Sequence, residues 1–289
     1  MIDLQKYMSI AIDEARFSLR EGNSGFGAVI VKDDKLIAQA HDTDSTDGDP
    51  TAHAEMKAIR LASSKFGKSL YGCTIISTHE PCPMCSTAIF WSGIEEAAFG
   101  YSIKESIEQG RSRINIPLEE IFSRAGKRIN IYKNILYDKC SVLYNKSVRD
   151  DIKMLRNADE NRLKELGNEK CIKRLEWAKK KNINPDGKAS CGIDDAYILF
   201  LDKLGITRDE APIVERNKNS IVIHSKNFCP TLEACGILDM DTRLVCRHLT
   251  EKATTELIRR LNPKLLFKRN YNKIRPHTSY CEEMIILEE

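Results

Sequence analysis

The chain has 289 residues, 42% hydrophobic and 30% charged, a balance that suits a folded protein and excludes a disordered one. Its length points to two domains. Forty-five basic against forty-two acidic residues leave a net charge of +3, too small a basic excess for broad nucleic-acid binding, and the longest apolar run, Ala196 to Leu201, is far short of the roughly twenty residues of a membrane span.

The opening residues, Met1-Ile2-Asp3-Leu4-Gln5-Lys6, show none of the basic, apolar and small-residue regions of a signal peptide. The expectation is a cytoplasmic chain whose ten cysteines are thiols or metal ligands rather than disulfides. Residues 3 to 20 read as a helix stopped by Glu21-Gly22-Asn23-Ser24-Gly25, and Phe26 to Lys32 with Leu36 to Ala40 as a β-hairpin. Asp49-Pro50-Thr51 leads into a helix from Ala52 to Phe66, placing His53 and Glu55 in its first turn. Cys73 to Ser77 is a buried strand, Pro81 opens a helix to Trp91, and Glu96 to Tyr101 is a strand. A helix from Leu118 to Ala125 and a last strand from Arg128 to Tyr132 follow. This alternation predicts an α/β domain over residues 1 to 140.

Ser147 to Asn182 is a long, highly charged helical segment interrupted by Gly167, and a second domain, 147 to 289, begins with it. Beyond the break at Asn184-Pro185-Asp186-Gly187 come two or three helices and two strands, Lys264 to Arg269 and Tyr280 to Leu287, a smaller α+β domain.

The chemistry is concentrated in His53-Ala54-Glu55 and Pro81-Cys82-Pro83-Met84-Cys85, which fit the His-x-Glu and Pro-Cys-x-x-Cys pattern of zinc deaminases. One imidazole and two thiolates, His53, Cys82 and Cys85, are three ligands of the kind zinc prefers, with a fourth position left for water. Both clusters fall at expected helix N-termini, where free N–H groups and the helix dipole favour thiolates. Two thiolates cancel the charge of Zn²⁺, so its water is less acidified than at an all-histidine site and benefits from a base. Glu55 is placed to take that proton and deliver it to the substrate. A structural zinc is the alternative; it needs a fourth protein ligand, for which Cys73 and His79 are the candidates, and it leaves Glu55 without a purpose.

From residue 1 to 132 the chain resembles the cytidine and deoxycytidylate deaminase superfamily, on the branch of guanine deaminase, cytosine deaminase and tRNA adenosine deaminase. The resemblance is carried by Gly25-Phe26-Gly27-Ala28-Val29-Ile30-Val31, Asp49-Pro50-Thr51-Ala52-His53-Ala54-Glu55 and Glu80-Pro81-Cys82-Pro83-Met84-Cys85. It implies a three-layer α/β/α sandwich around a five-stranded mixed sheet, a Zn²⁺ cofactor, a homodimer, and hydrolytic loss of ammonia from a cyclic amidine such as an amino-substituted nucleobase. It also implies that the amides of Ala54 and Cys82 approach the group being hydrated, while Phe26 and Trp91 flank the ring; core packing is the alternative for both aromatics.

Two departures from the family pattern bear on substrate. Asp42 stands where the family carries an asparagine, and a carboxylate only accepts hydrogen bonds, so Asp42 is expected to face an N–H edge of the substrate or to cap a turn in the loop to Asp49. Gly110-Arg111-Ser112-Arg113-Ile114 replaces the acidic residues of guanine deaminases; Arg111 and Arg113 suit an anionic or oxygen-rich substrate or form a solvated basic loop. In the C-terminal half, Asn227-Phe228-Cys229-Pro230, Cys246, Asn262-Pro263-Lys264-Leu265 and Tyr280-Cys281 resemble the L-2-amino-thiazoline-4-carboxylic acid hydrolase-like family. Cys229, Cys235, Cys246 and Cys281 there are either a second metal site or simply buried thiols. Besides a free-base deaminase, an RNA or nucleotide deaminase and a non-catalytic zinc scaffold are the competing readings.

Overall fold

Asp3 starts the first helix, its carboxylate accepting from the Lys6 amide at 3.1 Å, and α1 runs Leu4–Glu21. The computed structural model describes residues 2–183 and 191–288; the expected break at Asn184-Pro185-Asp186-Gly187 lies outside them. The chain divides into two compact units, Met1–Lys153 and Met154–Glu289.

In the first unit, β1 (Gly27–Lys32), β2 (Lys35–His41), β3 (Cys73–His79), β4 (Glu96–Tyr101) and β5 (Asn130–Tyr132) form one sheet in the order β2-β1-β3-β4-β5. β1 is antiparallel to β2 and β3, whereas β3, β4 and β5 run parallel. The side-chain alternation of a strand sends Ala28, Ile30, Ile75 and Ala97 to one face, where they share a core with α3 (Ala54–Phe66) and α4 (Pro83–Ser92). Gly27 faces α1 on the other side; a Cβ there would lie 1.9 Å from the Ala11 carbonyl oxygen, so only glycine allows the helix this close. Helices on both faces of a mixed five-stranded sheet make the expected three-layer sandwich.

Short helices absent from the sequence reading complete this unit: α2 (Asp44–Asp47), α5 (Ile103–Glu108) and α7 (Tyr137–Tyr144), besides the expected α6 (Leu118–Arg124). The first two are too short to show a periodicity.

The charged segment after Ser147 is two helices, α8 (Lys146–Leu155) and α9 (Glu160–Lys180), and the division between the units falls within α8. The interruption lies at 156–159 and not at Gly167. Gly167 is buried inside α9, where a Cβ would come within 2.1 Å of the His248 carbonyl oxygen; it serves close packing rather than helix termination.

The second unit continues with α10 (Ile193–Leu204), β6 (Ile213–Asn217), β7 (Ser220–Ser225), α11 (Pro230–Leu238), α12 (Thr242–Cys246), α13 (Lys252–Ile258), β8 (Leu265–Arg269) and β9 (Cys281–Leu287). Its antiparallel sheet has the order β6-β7-β9-β8. Strand β6 was not legible, because Val214, Glu215, Arg216 and Asn217 are exposed on an edge strand and carry no apolar alternation; β7 does alternate, with Ile221 and Ile223 buried. No helix among the described residues is long and apolar enough to cross a membrane.

Candidate metal centre and substrate cleft

Sheet register gathers the site at one end of the first unit. Ala28 pairs with Ser77 and Gly27 with His41, so Phe26, Asp42 and His79, one or two residues further on, emerge together. Two helices deliver the metal ligands to the same place. His53 is the N-cap of α3 and Cys82 the N-cap of α4, both in extended backbone and neither using its side chain as a cap. Cys85 lies in the first turn of α4.

His53 Nδ1 is 3.6 Å from Cys82 Sγ and 3.5 Å from Cys85 Sγ. A tetrahedral zinc with ordinary Zn–N and Zn–S bonds holds such a pair about 3.6 Å apart, so the spacing and the donor set both fit Zn²⁺. Among the described residues this is the one group whose ligand atoms converge. His79 turns its Nδ1 to the Glu80 carbonyl at 2.8 Å instead, and Cys73 lies at the opposite end of β3, about 20 Å away at a strand's rise per residue. Neither closes the site. Cys229, Cys235, Cys246 and Cys281 form no such group.

The ligands polarise one another. The Cys85 thiol donates to Cys82 and, with His53, lowers the Cys82 pKa to about 4; the resulting thiolate raises His53 to about 9 and pushes Cys85 well above a free thiol. The site thus already favours a thiolate at Cys82, the form a metal takes. Glu55, on the first turn of α3, is 5% exposed, with Oε2 3.5 Å from Cys85 Sγ. Burial, reinforced by the Cys82 charge, raises its pKa to about 7. A carboxyl poised near neutrality suits both acceptance and donation of a proton.

These groups open onto a cleft of about 520 Å³, counting its mouth, lined among others by Phe26, Asp42, His53, Glu55, Cys82 and Arg113. Asp42 is fully buried. Its Oδ1 accepts from Ser18 Oγ at 2.5 Å and the Phe26 amide at 2.7 Å, and its Oδ2 from the Ser24 amide at 2.9 Å. Burial raises its pKa against these donors. It therefore organises the segment before β1 rather than the loop to Asp49, while still contributing to the cleft wall. Phe26 stacks on Tyr144 at 5.4 Å and meets His79 edge-on at 5.4 Å.

Trp91 is not brought to the cleft. It sits in the last turn of α4, six residues beyond Cys85 and so about 9 Å along the axis, and is 67% exposed. Ala54 is buried at the first position of α3, beside His53. His79, Asp44, Ile103 and Ile114 line the cleft without having been assigned to it from sequence. His79 ends β3, two residues beyond the strand end expected at Ser77, and open α/β sheets bind ligands beyond the carboxyl ends of such strands.

Residues 1–101 match the family model of the cytidine and deoxycytidylate deaminase zinc-binding region. The chain is 42% identical over 94 residues to the tRNA-specific adenosine deaminase of Aquifex aeolicus, a match covering 32% of this chain and 62% of that protein. It is 32% identical over 156 residues to the tRNA-specific adenosine deaminase of Bacillus subtilis, covering 54% of this chain and 94% of the relative. Guanine deaminase of Bacillus subtilis is 37% identical over 108 residues, 37% of this chain and 69% of its own length; its solved structure superposes with a TM-score of 0.35, covering 36% of this chain and 68% of that one.

Proposed function

The chain belongs to the cytidine and deoxycytidylate deaminase family, and from that premise we propose that it is a zinc-dependent hydrolytic deaminase releasing ammonia from an amino-substituted nucleobase or related heterocycle. The observation that carries the reading is the meeting of His53, Cys82 and Cys85 with a buried carboxyl, Glu55, at a cleft. A structural site has no use for that carboxyl.

Zinc held by His53, Cys82 and Cys85 would supply a Lewis acid able to make water a nucleophile near neutral pH. Glu55 takes one proton from the attacking water and passes it to a ring nitrogen, then takes the second from the newly added hydroxyl and delivers it to the amino group, whose bond to carbon breaks so that it leaves as ammonia. The amino carbon thereby becomes a carbonyl. Phe26, held by the hydrogen bond its backbone N–H donates to Asp42 and by stacking on Tyr144, offers an aromatic wall to the ring. The test is ammonia release by the zinc-loaded protein against free bases, nucleosides, nucleotides and carboxylated heterocycles.

A nucleotide or RNA substrate is the second reading, favoured by the tRNA-specific relatives and decided by the same assay. The proposal includes a homodimer. Large exposed apolar groups on α3 and α4, Leu61, Phe66 and Trp91, suit an interface between copies, which sedimentation would detect.

A further inference from the structure

Two arginines beside the cleft have hydrogen-bond donors with nothing to receive them. The guanidinium groups of Arg111 and Arg113 lie 5.5 and 5.1 Å from the centre of the Phe26 ring, and Arg111 lies 5.2 Å from that of Tyr144. Aromatic faces attract the cation but accept little from its N–H edges. Arg111 Nη1 and Arg113 Nε are buried without a partner, and the bond from Arg113 Nη1 to the Ser112 carbonyl is long, at 3.5 Å.

The charges Arg111 feels most are those of Arg149 and Arg113, not of carboxylates, and among the described residues neither Arg111 nor Arg113 enters an ion pair. Burial first, then these two neighbours, lowers Arg111 to about 10. Crowded, half-desolvated guanidinium groups are unfavourable unless an anion joins them. Arg113 lines the same cleft as Glu55, with Asp42 and Asp44 also on its wall, so the cleft has a basic and an acidic component. His79 also lines this cleft, and its Nε2 is buried without a partner. Because His79 Nδ1 bonds the Glu80 carbonyl, Nε2 carries the lone pair, and burial, with Arg113 and Arg111, holds this imidazole neutral, its pKa lowered to about 3.

We propose that Arg111 and Arg113 form an oxyanion subsite, so that the substrate is a small amino-heterocycle bearing a phosphate or carboxylate group. The inference rests on the deaminase reading for its reaction but not for its binding. The fork of arginine matches either oxyanion in paired hydrogen bonds. The acid group sits on the arginines, the amino-bearing ring is presented to Glu55, and His79 Nε2 accepts a substrate N–H.

The test compares ammonia release by the zinc-loaded full chain from matched pairs: cytidine and cytidine monophosphate, guanosine and guanosine monophosphate, 2-aminopyrimidine and its carboxylate. The acidic member of at least one pair should be preferred by about 100-fold in kcat/KM, as expected for two charge-assisted bonds, and the pair that responds identifies the anion. The Arg111→Gln/Arg113→Gln protein should lose that preference and keep one zinc per chain. Calorimetry with inorganic phosphate and with benzoate reads the subsite without turnover: saturable binding of one of them, weakened at least about 10-fold in the double variant, is expected. Anion binding without ammonia release from any compound would sink the deaminase reading and leave the subsite standing. Equal turnover of neutral and acidic partners, turnover of RNA alone, or anion binding absent or unchanged in the double variant would overturn the subsite. If the double variant does not fold, Arg113→Lys serves: it keeps the charge and loses the fork, so the acidic substrate alone should suffer, and equal effects on both members of a pair would overturn the proposal.

Discussion

Glu283 and Glu55 are buried to a similar degree, 2% and 5% exposed, yet they are held in different ways. Glu283, on β9, pairs with Arg269 of β8 through both Nε and Nη2 and accepts from the Ser225 hydroxyl. Burial opposes the charge on Arg269, but Glu283 more than offsets it and leaves the guanidinium more firmly protonated than usual. Arg174 nearby donates to Thr254. In the N-terminal unit, Glu55 meets the thiol of the metal ligand Cys85, and His79 and Arg111 keep unpaired atoms. Buried polar groups that satisfy one another hold a fold together; those left unsatisfied mark where something else binds. A variant of Glu55 should therefore affect chemistry, and a variant of Glu283 should affect stability.

The largest effect is expected at Glu55. Glu55→Ala should lower turnover by about 10² to 10⁴ while elemental analysis still finds one zinc per chain. Its thermal midpoint should not fall, since the change removes a buried carboxyl that burial already disfavours. A lost zinc would mean that Glu55 is a ligand.

Glu283→Ala should do the reverse. It strands the Arg269 charge, and breaking a buried pair costs about 3 to 5 kcal/mol, measurable by urea denaturation. Zinc content and turnover per folded molecule should stay unchanged; a stability change within experimental error would show that the pair is dispensable and the contrast between the units false.

Asp42→Asn sharpens the comparison, because Asp42 stands on both sides of it. An asparagine supplies one carbonyl oxygen, so the Ser24 amide would face an NH₂ group, at a cost of about 1 to 3 kcal/mol. Equal falls in kcat/KM for every substrate are expected, since the segment carrying Phe26 loosens. Opposite changes on guanine or cytosine and on the preferred substrate would instead make Asp42 a direct reader of the ring.

The smallest effect concerns pH. His41 bonds Glu14 at 2.7 Å and Glu21 at 3.1 Å; the Glu14 bond raises its pKa and that of Glu14 is lowered in turn. A raised histidine stabilises below its unfolded value of about 6.5 and loses that contribution as pH rises through the folded value. A lowered glutamate stabilises above about 4.5 and loses it as pH falls. The unfolding free energy should therefore decline above about pH 6.5, by about 1 kcal/mol at most for a single partly exposed pair, and His41→Asn should flatten that slope.

What the sequence made legible follows the same division. His53, Glu55, Cys82 and Cys85 sit in two tight motifs whose spacing reflects metal geometry, and the strands of the first unit are apolar runs ended by turns; such signals are local. His79 was passed over as a cleft residue because its role comes from register, which sets the end of β3 beside Phe26 and Asp42. Gly167 misled because a glycine that ends a helix and one that admits a neighbouring backbone are spelled alike. Trp91 misled because helical distance separates it from the ligands carried by its own helix.

The most direct test is zinc K-edge absorption spectroscopy of the full chain, combined with metal content. The account predicts one zinc per chain bound by two sulfurs, one imidazole nitrogen and one further light atom from water. A third sulfur or a second imidazole completing the tetrahedron would make the zinc structural and contradict the catalytic reading.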